Sequence, residues 1–428
     1  MKSWCCFGGA TGMLKAILCV LAATFTLSVD GAARQPDPST GDALRVLILT
    51  GRHNHDWEAT TPFLKTMYEE SGRFVVDVTE DPASLDADAL EPYDVLVDNY
   101  AAYPDMTGRQ WGKTAEDAIV EFVRQGKGMV LFHAAVASFL DWPEFLEMAG
   151  CSWGEDSAHG RRHEYNVDIV DHDHPITHGL HSFATSRDEL YHRLDMHPPI
   201  QLLARSYSMA SAKGSGRYEP MVLTTDIGQG RCFYTAMGHD VEAMEGAGFQ
   251  AVMLRATEWA ATGAVNMPPP DALPARKLQA VVLTGGHDFD EEAFPKLFEG
   301  DEAVLYDAVH QEKDSKIFED ISDWPYDVIV LYNMSNKISE KGRANFLRLL
   351  DQGTGLVVLH HAIIAYQEWP EFARIIGVNY YQEESTINGV TYPKSTYKHD
   401  VDMPLRIEDG SHPVTQGLKD FVVHEETY

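Results

Sequence analysis

Histidines and carboxylates gather at a few places along this chain of 428 residues, and the same places recur in its second half. His53, His55 and Asp56 follow an apolar run, Val46 to Leu49. His133 ends another apolar run, Met129 to Phe132, entered through Gly126 and Gly128. Asp188-Glu189-Leu190-Tyr191 sets a carboxylate two residues from a phenol, and His239 closes the segment Gly230-Arg231-Cys232-Phe233-Tyr234-Thr235-Ala236-Met237-Gly238-His239. Imidazoles exchange protons near neutrality, so the set suits general acid and base work on a polar substrate. A carboxylate beside a phenol can also bind ligand hydroxyls. His133 is the first candidate for acid or base. His53, Asp56, Glu189 and His239 are its candidate catalytic partners, with His55 and Tyr191 as candidate substrate contacts.

Each of these residues has a plainer reading. His133 could satisfy a backbone group and hold its turn, and Asp56 could cap a helix beginning near Glu58. His53, His55 and His133 form an alternative divalent-metal set, since such a site needs three ligands and an open position. No compact metal motif such as His-Glu-x-x-His accompanies them, so no cofactor is assigned. His163 reads as part of a solvated loop. Asp171-His172-Asp173-His174-Pro175 reads as a turn leaving a strand, because proline pushes its predecessor out of helical geometry.

The repeat sharpens the choice. Val46 to Asp56 returns as Ala280 to Asp290, Gly126 to His133 as Gly353 to His360, Trp142-Pro143-Glu144-Phe145 as Trp369-Pro370-Glu371-Phe372, and His174 to Leu180 as His412 to Leu418. A period this long means two whole domains. The second-copy candidates are therefore His287, Asp290, His360, His361, Glu426 and Tyr428. His55 becomes Phe289, so a metal held by the first copy is expected to bind the second worse or not at all. Counterparts of His192 to Gly263 are missing after Tyr428, which makes the second copy C-terminally incomplete and the less competent half.

Buried apolar strands alternating with amphipathic helices (Glu58 to Glu70, Thr114 to Gln125) give an α/β fold with an open, mostly parallel sheet flanked by helices, in two tandem copies. In such sheets ligands collect at the carboxyl ends of strands, where these histidines fall. The expected organisation is an export signal at 1–33, a tether at 34–43, a first domain at 44–264, a Pro-rich linker at 265–277, stiff and unable to pair, and a second domain at 278–428 with a short first helix near Glu291 to Phe298. The protein is then expected outside the cytoplasm, with no membrane contact after signal cleavage. The formal net charge of −31 argues against nucleic acid and anionic lipid as partners. Three of five cysteines lie in the signal, so no disulfide framework is indicated.

Taken together, Gly-x-His-x-His-Asp-Trp (Gly51 to Trp57), Gly-x-Gly-x-x-x-x-His, Trp-Pro-Glu-Phe, His-Pro-x-Thr-x-Gly-Leu, Asp-Glu-Leu-Tyr and the Gly230 to His239 segment resemble the trehalose-utilisation (ThuA-like) family, whose fold is similar to class I glutamine amidotransferases and the flavodoxin-like sheets. The resemblance implies a sugar or oxidised sugar derivative as ligand and adds Trp57 and His159 to the substrate-binding candidates. Amidotransferases place a cysteine nucleophile where this chain has His133, so thioester chemistry on glutamine is excluded. Three functions follow: acid–base chemistry on a carbohydrate, noncatalytic carbohydrate binding or scaffolding, and metal-dependent hydrolysis.

Overall fold

The computed structural model describes residues 43–428 apart from 299, 301, 312, 335 and 336. The export signal and all but the last residue of the tether lie outside the described residues.

Four apolar runs form the centre of the first copy: β1 (Leu44–Leu49), β2 (Phe74–Thr79), β3 (Val95–Asp98) and β4 (Gly128–Phe132). They are parallel and ordered β2-β1-β3-β4. Val46, Ile48, Val95, Val97, Val130 and Leu131 are fully buried, each stabilising the fold by about 1.5–3 kcal/mol. A fifth parallel strand, Gly230–Thr235, lies beside β4, and four antiparallel-paired strands extend the sheet to nine. Since β1 feeds β2 on one side and β3 lies on its other side, strand order reverses there and opens a crevice above the strand tips.

Two glycines show why the backbone can pack this way. Gly51, at φ +105°, turns the chain off β1 so closely that a Cβ would sit 2.2 Å from the Glu80 carbonyl oxygen. A Cβ on Gly128 would meet the Ala260 carbonyl carbon at 2.5 Å, because the helix Ala247–Thr262 presses directly on β4. The Trp-Pro-Glu-Phe motif begins the helix Pro143–Ala149, and its Trp142 ring stacks on Phe145 at 5.5 Å, so its work is to seat that helix.

The second copy repeats the order with Val304–His310, Leu278–Gly285, Val328–Asn333 and Gly355–Val358. Its register repeats too: Val328 pairs with Gly355 as Val95 pairs with Gly128. Among the described residues no strand stands beyond Gly355–Val358, and the hairpin Lys398–Leu405 with Phe421–Thr427 forms its own two-stranded sheet.

Two expectations need correction. The helix expected near Glu291 to Phe298 is a single 3-10 turn, Phe294–Leu297; Gly300, at φ +84°, ends the segment before enough turns accumulate to sustain a helix. The Pro-rich linker is not free. Ala275 bridges to Phe183, the Pro274 carbonyl accepts from the Ala184 N–H at 3.3 Å, and Arg276 pairs with Asp168 (3.0 Å) in one copy and Asp327 (2.6 Å) in the other. Proline lacks an N–H but keeps its carbonyl, so it can still accept. The copies also pack on each other: Tyr207, Met209 and Ala212 join the second core, and the Tyr207 and Tyr326 hydroxyls meet at 3.1 Å.

Candidate active site

His133 occupies the sharp turn after β4 at φ +45°, a left-handed conformation that costs a non-glycine residue about 1–3 kcal/mol. Its surroundings hold it there. The Tyr234 hydroxyl donates to the His133 carbonyl (3.2 Å), and His133 Nδ1 lies 2.9 Å from the Ala236 carbonyl oxygen. A carbonyl can only accept, so Nδ1 carries the proton; in the neutral ring Nε2 then offers its lone pair, which the Tyr191 hydroxyl meets at 2.9 Å.

Around this ring the structure gathers residues from four separated segments. His55 lies 5.0 Å from His133 and 4.4 Å from His239, ring centre to ring centre, and His133 and His239 are 5.4 Å apart. Glu189 reaches His133 Nε2 at 3.7 Å and His239 Nδ1 at 3.2 Å through Oε2, and His159 Nδ1 at 3.4 Å through Oε1. The His239 contact does not meet hydrogen-bond geometry, and His55 Nδ1 is likewise buried without a hydrogen-bond partner. One ligand atom from each of His55, His133, Glu189 and His239 lies within 4.8 Å of the others.

Burial and the crowding of like rings set the charges. Burial first, then repulsion from His133 and His239, pushes His53 down to about 3. Burial together with the neighbouring imidazoles takes His55 to about 2, so both rings are neutral. Burial acts to raise the Glu189 carboxyl, but the close His133 and His239 imidazoles outweigh it and hold it well below the usual range. Burial would lower His239, yet its contact with Glu189 more than offsets that and raises it. Burial, reinforced by the Glu189 and Asp188 charges, raises Tyr191 far enough to keep the phenol protonated.

The other sequence candidates fall differently. Asp56 is exposed and caps the helix Trp57–Glu70, its Oδ1 accepting from the Ala59 N–H at 3.1 Å. Trp57 is the first, half-buried residue of that helix. The cluster the structure gathers differs in membership from the metal set read from the sequence: His53 stands outside it, its Nδ1 accepting the His55 N–H at 2.9 Å, while Glu189 and His239 stand inside it. His163 is half-buried and pairs its backbone with Asp188 in both directions at 3.1 Å, so it is not part of a solvated loop.

Asp188 is the residue the sequence reading passed over. Its buried carboxylate accepts from the backbone N–H groups of Glu189 (2.8 Å) and His239 (3.0 Å) through Oδ1, and from Gly238 (2.8 Å) and the Tyr165 hydroxyl (3.3 Å) through Oδ2. One carboxylate thereby fixes the two segments that carry Glu189 and His239. Burial pushes its pKa up; His133 and the three N–H groups pull in the other direction.

In the second copy, His360 sits at φ +51°, with Glu426 at 3.4 Å and the Tyr428 hydroxyl at 3.4 Å from its Nε2. His399 Nδ1 lies 3.5 Å from Glu426 Oε1, which identifies it as the counterpart of His159. His361 has no histidine counterpart in the first copy; it stacks on His287 at 4.5 Å and bonds the Tyr332 carbonyl at 3.2 Å. Asp290 accepts from the Glu292 and Ala293 N–H groups, a turn-capping role parallel to that of Asp56. His287, His399, Glu426, Tyr380, Tyr397 and Lys394 line a cavity of about 480 Å³.

The ThuA family model, described as trehalose utilisation, matches residues 45–260 and 279–428. A ThuA-like protein from Parabacteroides merdae is 33% identical, with a TM-score of 0.49, over 55% of this chain and 95% of that one. A ThuA-like protein from Bacteroides uniformis is 21% identical, with a TM-score of 0.41, over 53% and 96%. A glutamine amidotransferase from Thermotoga maritima is 12% identical, with a TM-score of 0.30, over 51% and 85%. No curated protein matches.

Proposed function

Starting from the ThuA family, to which this chain belongs, we propose that the first copy acts on a sugar or oxidised sugar derivative by proton transfer within the His133–Glu189–His239 hollow. The family's description supplies the sugar. The observation that carries the chemistry is a single carboxylate, Glu189, within 3.2–3.7 Å of three imidazoles at the strand tips. Such an arrangement can take a proton from a substrate hydroxyl or activated carbon and return it to a neighbouring atom. Tyr191 and His133 orient each other, and His53 and His55 offer neutral rings to ligand oxygens. A thiol route is unsupported: Cys151 and Cys232 are buried, and burial pushes Cys232 up to about 12. Export through residues 1–33 belongs to the same proposal, which places the reaction outside the cytoplasm.

The second copy keeps the acid, phenol and two imidazoles but has Phe289 for His55 and, among the described residues, nothing at the His239 place. Its aromatic and polar cavity favours a second reading for that half, carbohydrate binding without turnover.

The test is turnover of the full chain on a panel of keto-sugars and disaccharides. Glu189→Gln should lower the rate about 10²–10⁴-fold, the range for a positioned acid or base, while Glu426→Gln leaves it within twofold. Equal rates for wild type and Glu189→Gln would remove the proposal.

A further inference from the structure

We propose that His55, His133, Glu189 and His239 form a binding site for one borderline divalent transition ion, of the zinc or cobalt kind, and that only the first copy has it. The inference deepens the reading of the same hollow as a reaction site.

The donor set is three imidazoles and one carboxylate, the mixture that zinc and its neighbours take and that calcium and magnesium, which prefer oxygen, do not. The spacing fits as well. Donors at zinc bond lengths in a tetrahedron stand roughly 3.3 Å apart, and Glu189 Oε2 already lies 3.2 Å from His239 Nδ1 and 3.7 Å from His133 Nε2. Two nitrogens of the set, His55 Nδ1 and His239 Nδ1, are buried with no hydrogen-bond partner, which an ion would supply. The supporting groups are those a ligand set needs. The Ala236 carbonyl fixes the His133 ring from its far side at 2.9 Å, and Asp188 anchors the backbone of both Glu189 and His239.

The second copy provides an internal contrast. His360 and Glu426 occupy two of the four places, Phe289 fills a third with carbon, and among the described residues the fourth has no occupant. The structure therefore assigns one ion per chain. Held by four protein donors, the ion would reach a substrate oxygen only by expanding to five-coordination, leaving His159, which is not a ligand, to handle the proton.

The experiment strips the full chain with a chelator, returns Zn²⁺ or Co²⁺, and measures stoichiometry by elemental analysis, affinity by titration, and the visible Co²⁺ spectrum. One tightly held ion per chain is expected, with a nitrogen-rich cobalt spectrum, a rise in Tm on Zn²⁺ addition, and no competition from Mg²⁺ or Ca²⁺. His55→Phe, which copies the second domain, and Glu189→Gln should each weaken binding by at least about 100-fold, beyond what loss of a supporting group costs; Asp56→Ala should bind as wild type does. No binding, two equal ions per chain, or binding indifferent to both substitutions would overturn the assignment, the last marking ions scattered over the acidic surface. Should either variant fail to fold, the stoichiometry and cobalt spectrum of the wild type still decide. No tightly held ion together with full turnover would defeat the metal site and spare the proposed function; one tightly held ion in a protein inert towards every sugar would do the reverse.

Discussion

Asp188→Asn isolates the residue that joins the two halves of the hollow. The carboxylate takes four donors, two on each oxygen. An asparagine keeps one acceptor oxygen and substitutes an N–H₂ for the other. In its better orientation the amide oxygen retains Glu189 and His239, and the N–H₂ faces the Gly238 N–H, while the Tyr165 hydroxyl can turn to accept. One buried N–H then loses its acceptor, which costs about 1–3 kcal/mol, and two charge-assisted bonds become neutral, at roughly 0.5–1 kcal/mol each. The sum centres near 3.5 kcal/mol, or a fall in Tm of about 7–14 °C for a domain of this size.

The same substitution loosens the backbone under Glu189 and His239. Supporting groups of this kind are typically worth about 10–100-fold in metal affinity, so cobalt titration of the variant should show a loss in that range. Thermal unfolding by circular dichroism and the titration together separate two roles. A Tm within 2 °C of wild type would refute the hydrogen-bond accounting. A lowered Tm with unchanged cobalt affinity would refute the positioning role while leaving Asp188 a structural anchor.

Two further predictions probe the contrast between the copies. Gly128→Ala should destabilise the first copy by about 1–3 kcal/mol, because the added methyl meets Ala260 at 2.5 Å; Gly355→Ala, whose nearest neighbour is Val328 at 3.6 Å, should change stability by no more than about 0.5 kcal/mol, and denaturant midpoints that move together would sink the comparison. Burial, with its Tyr332 contact opposing, takes His361 from the usual 6.5 to about 4, so the folded state resists protonation there: its contribution is intact above pH 6.5 and fades as pH falls towards 4. The shift sets a ceiling of about 3 kcal/mol at this buried ring; His361→Gln should lose correspondingly less stability between pH 7 and 4, and parallel profiles would contradict it.

The elements that build the crevice are legible in the sequence because they are buried on both faces. The run from Val46 to Leu49 needs only two residues added at its start, and the run from Met129 to Phe132 only one. The repeat carries the rest of the architecture, down to a shared register at Gly128 and Gly355. The composition of the cluster is less legible. His53 and His55 are two residues apart and equally plausible on paper; a local bond from the His55 N–H to the His53 ring separates them, and no pattern of residue types announces it. Asp188 hides for another reason, since its partners Gly238 and His239 lie fifty residues along the chain. Only the acid at the matching place in the second copy, Glu425, hints at it.

The left-handed turn offers a way to order what the copies share and what they do not. His133 could owe its φ of +45° to the Ala236 carbonyl that holds its ring, yet His360 takes φ +51° with no described residue in that place. The conformation is thus a property of the strand-to-turn junction, written into Gly-x-Gly-x-x-x-x-His. Phe139 and Tyr366 reproduce it six residues later, at +53° and +55°. The acid, phenol and His159-type imidazole also persist, with separations that differ by at most 0.5 Å between copies. What differs is the His55 place, taken by Phe289, and the His239 place, which no described residue of the second copy fills. On the proposed reading, ligand recognition rests on the part both copies keep, and reactivity depends on His55, whose place Phe289 takes in the second copy.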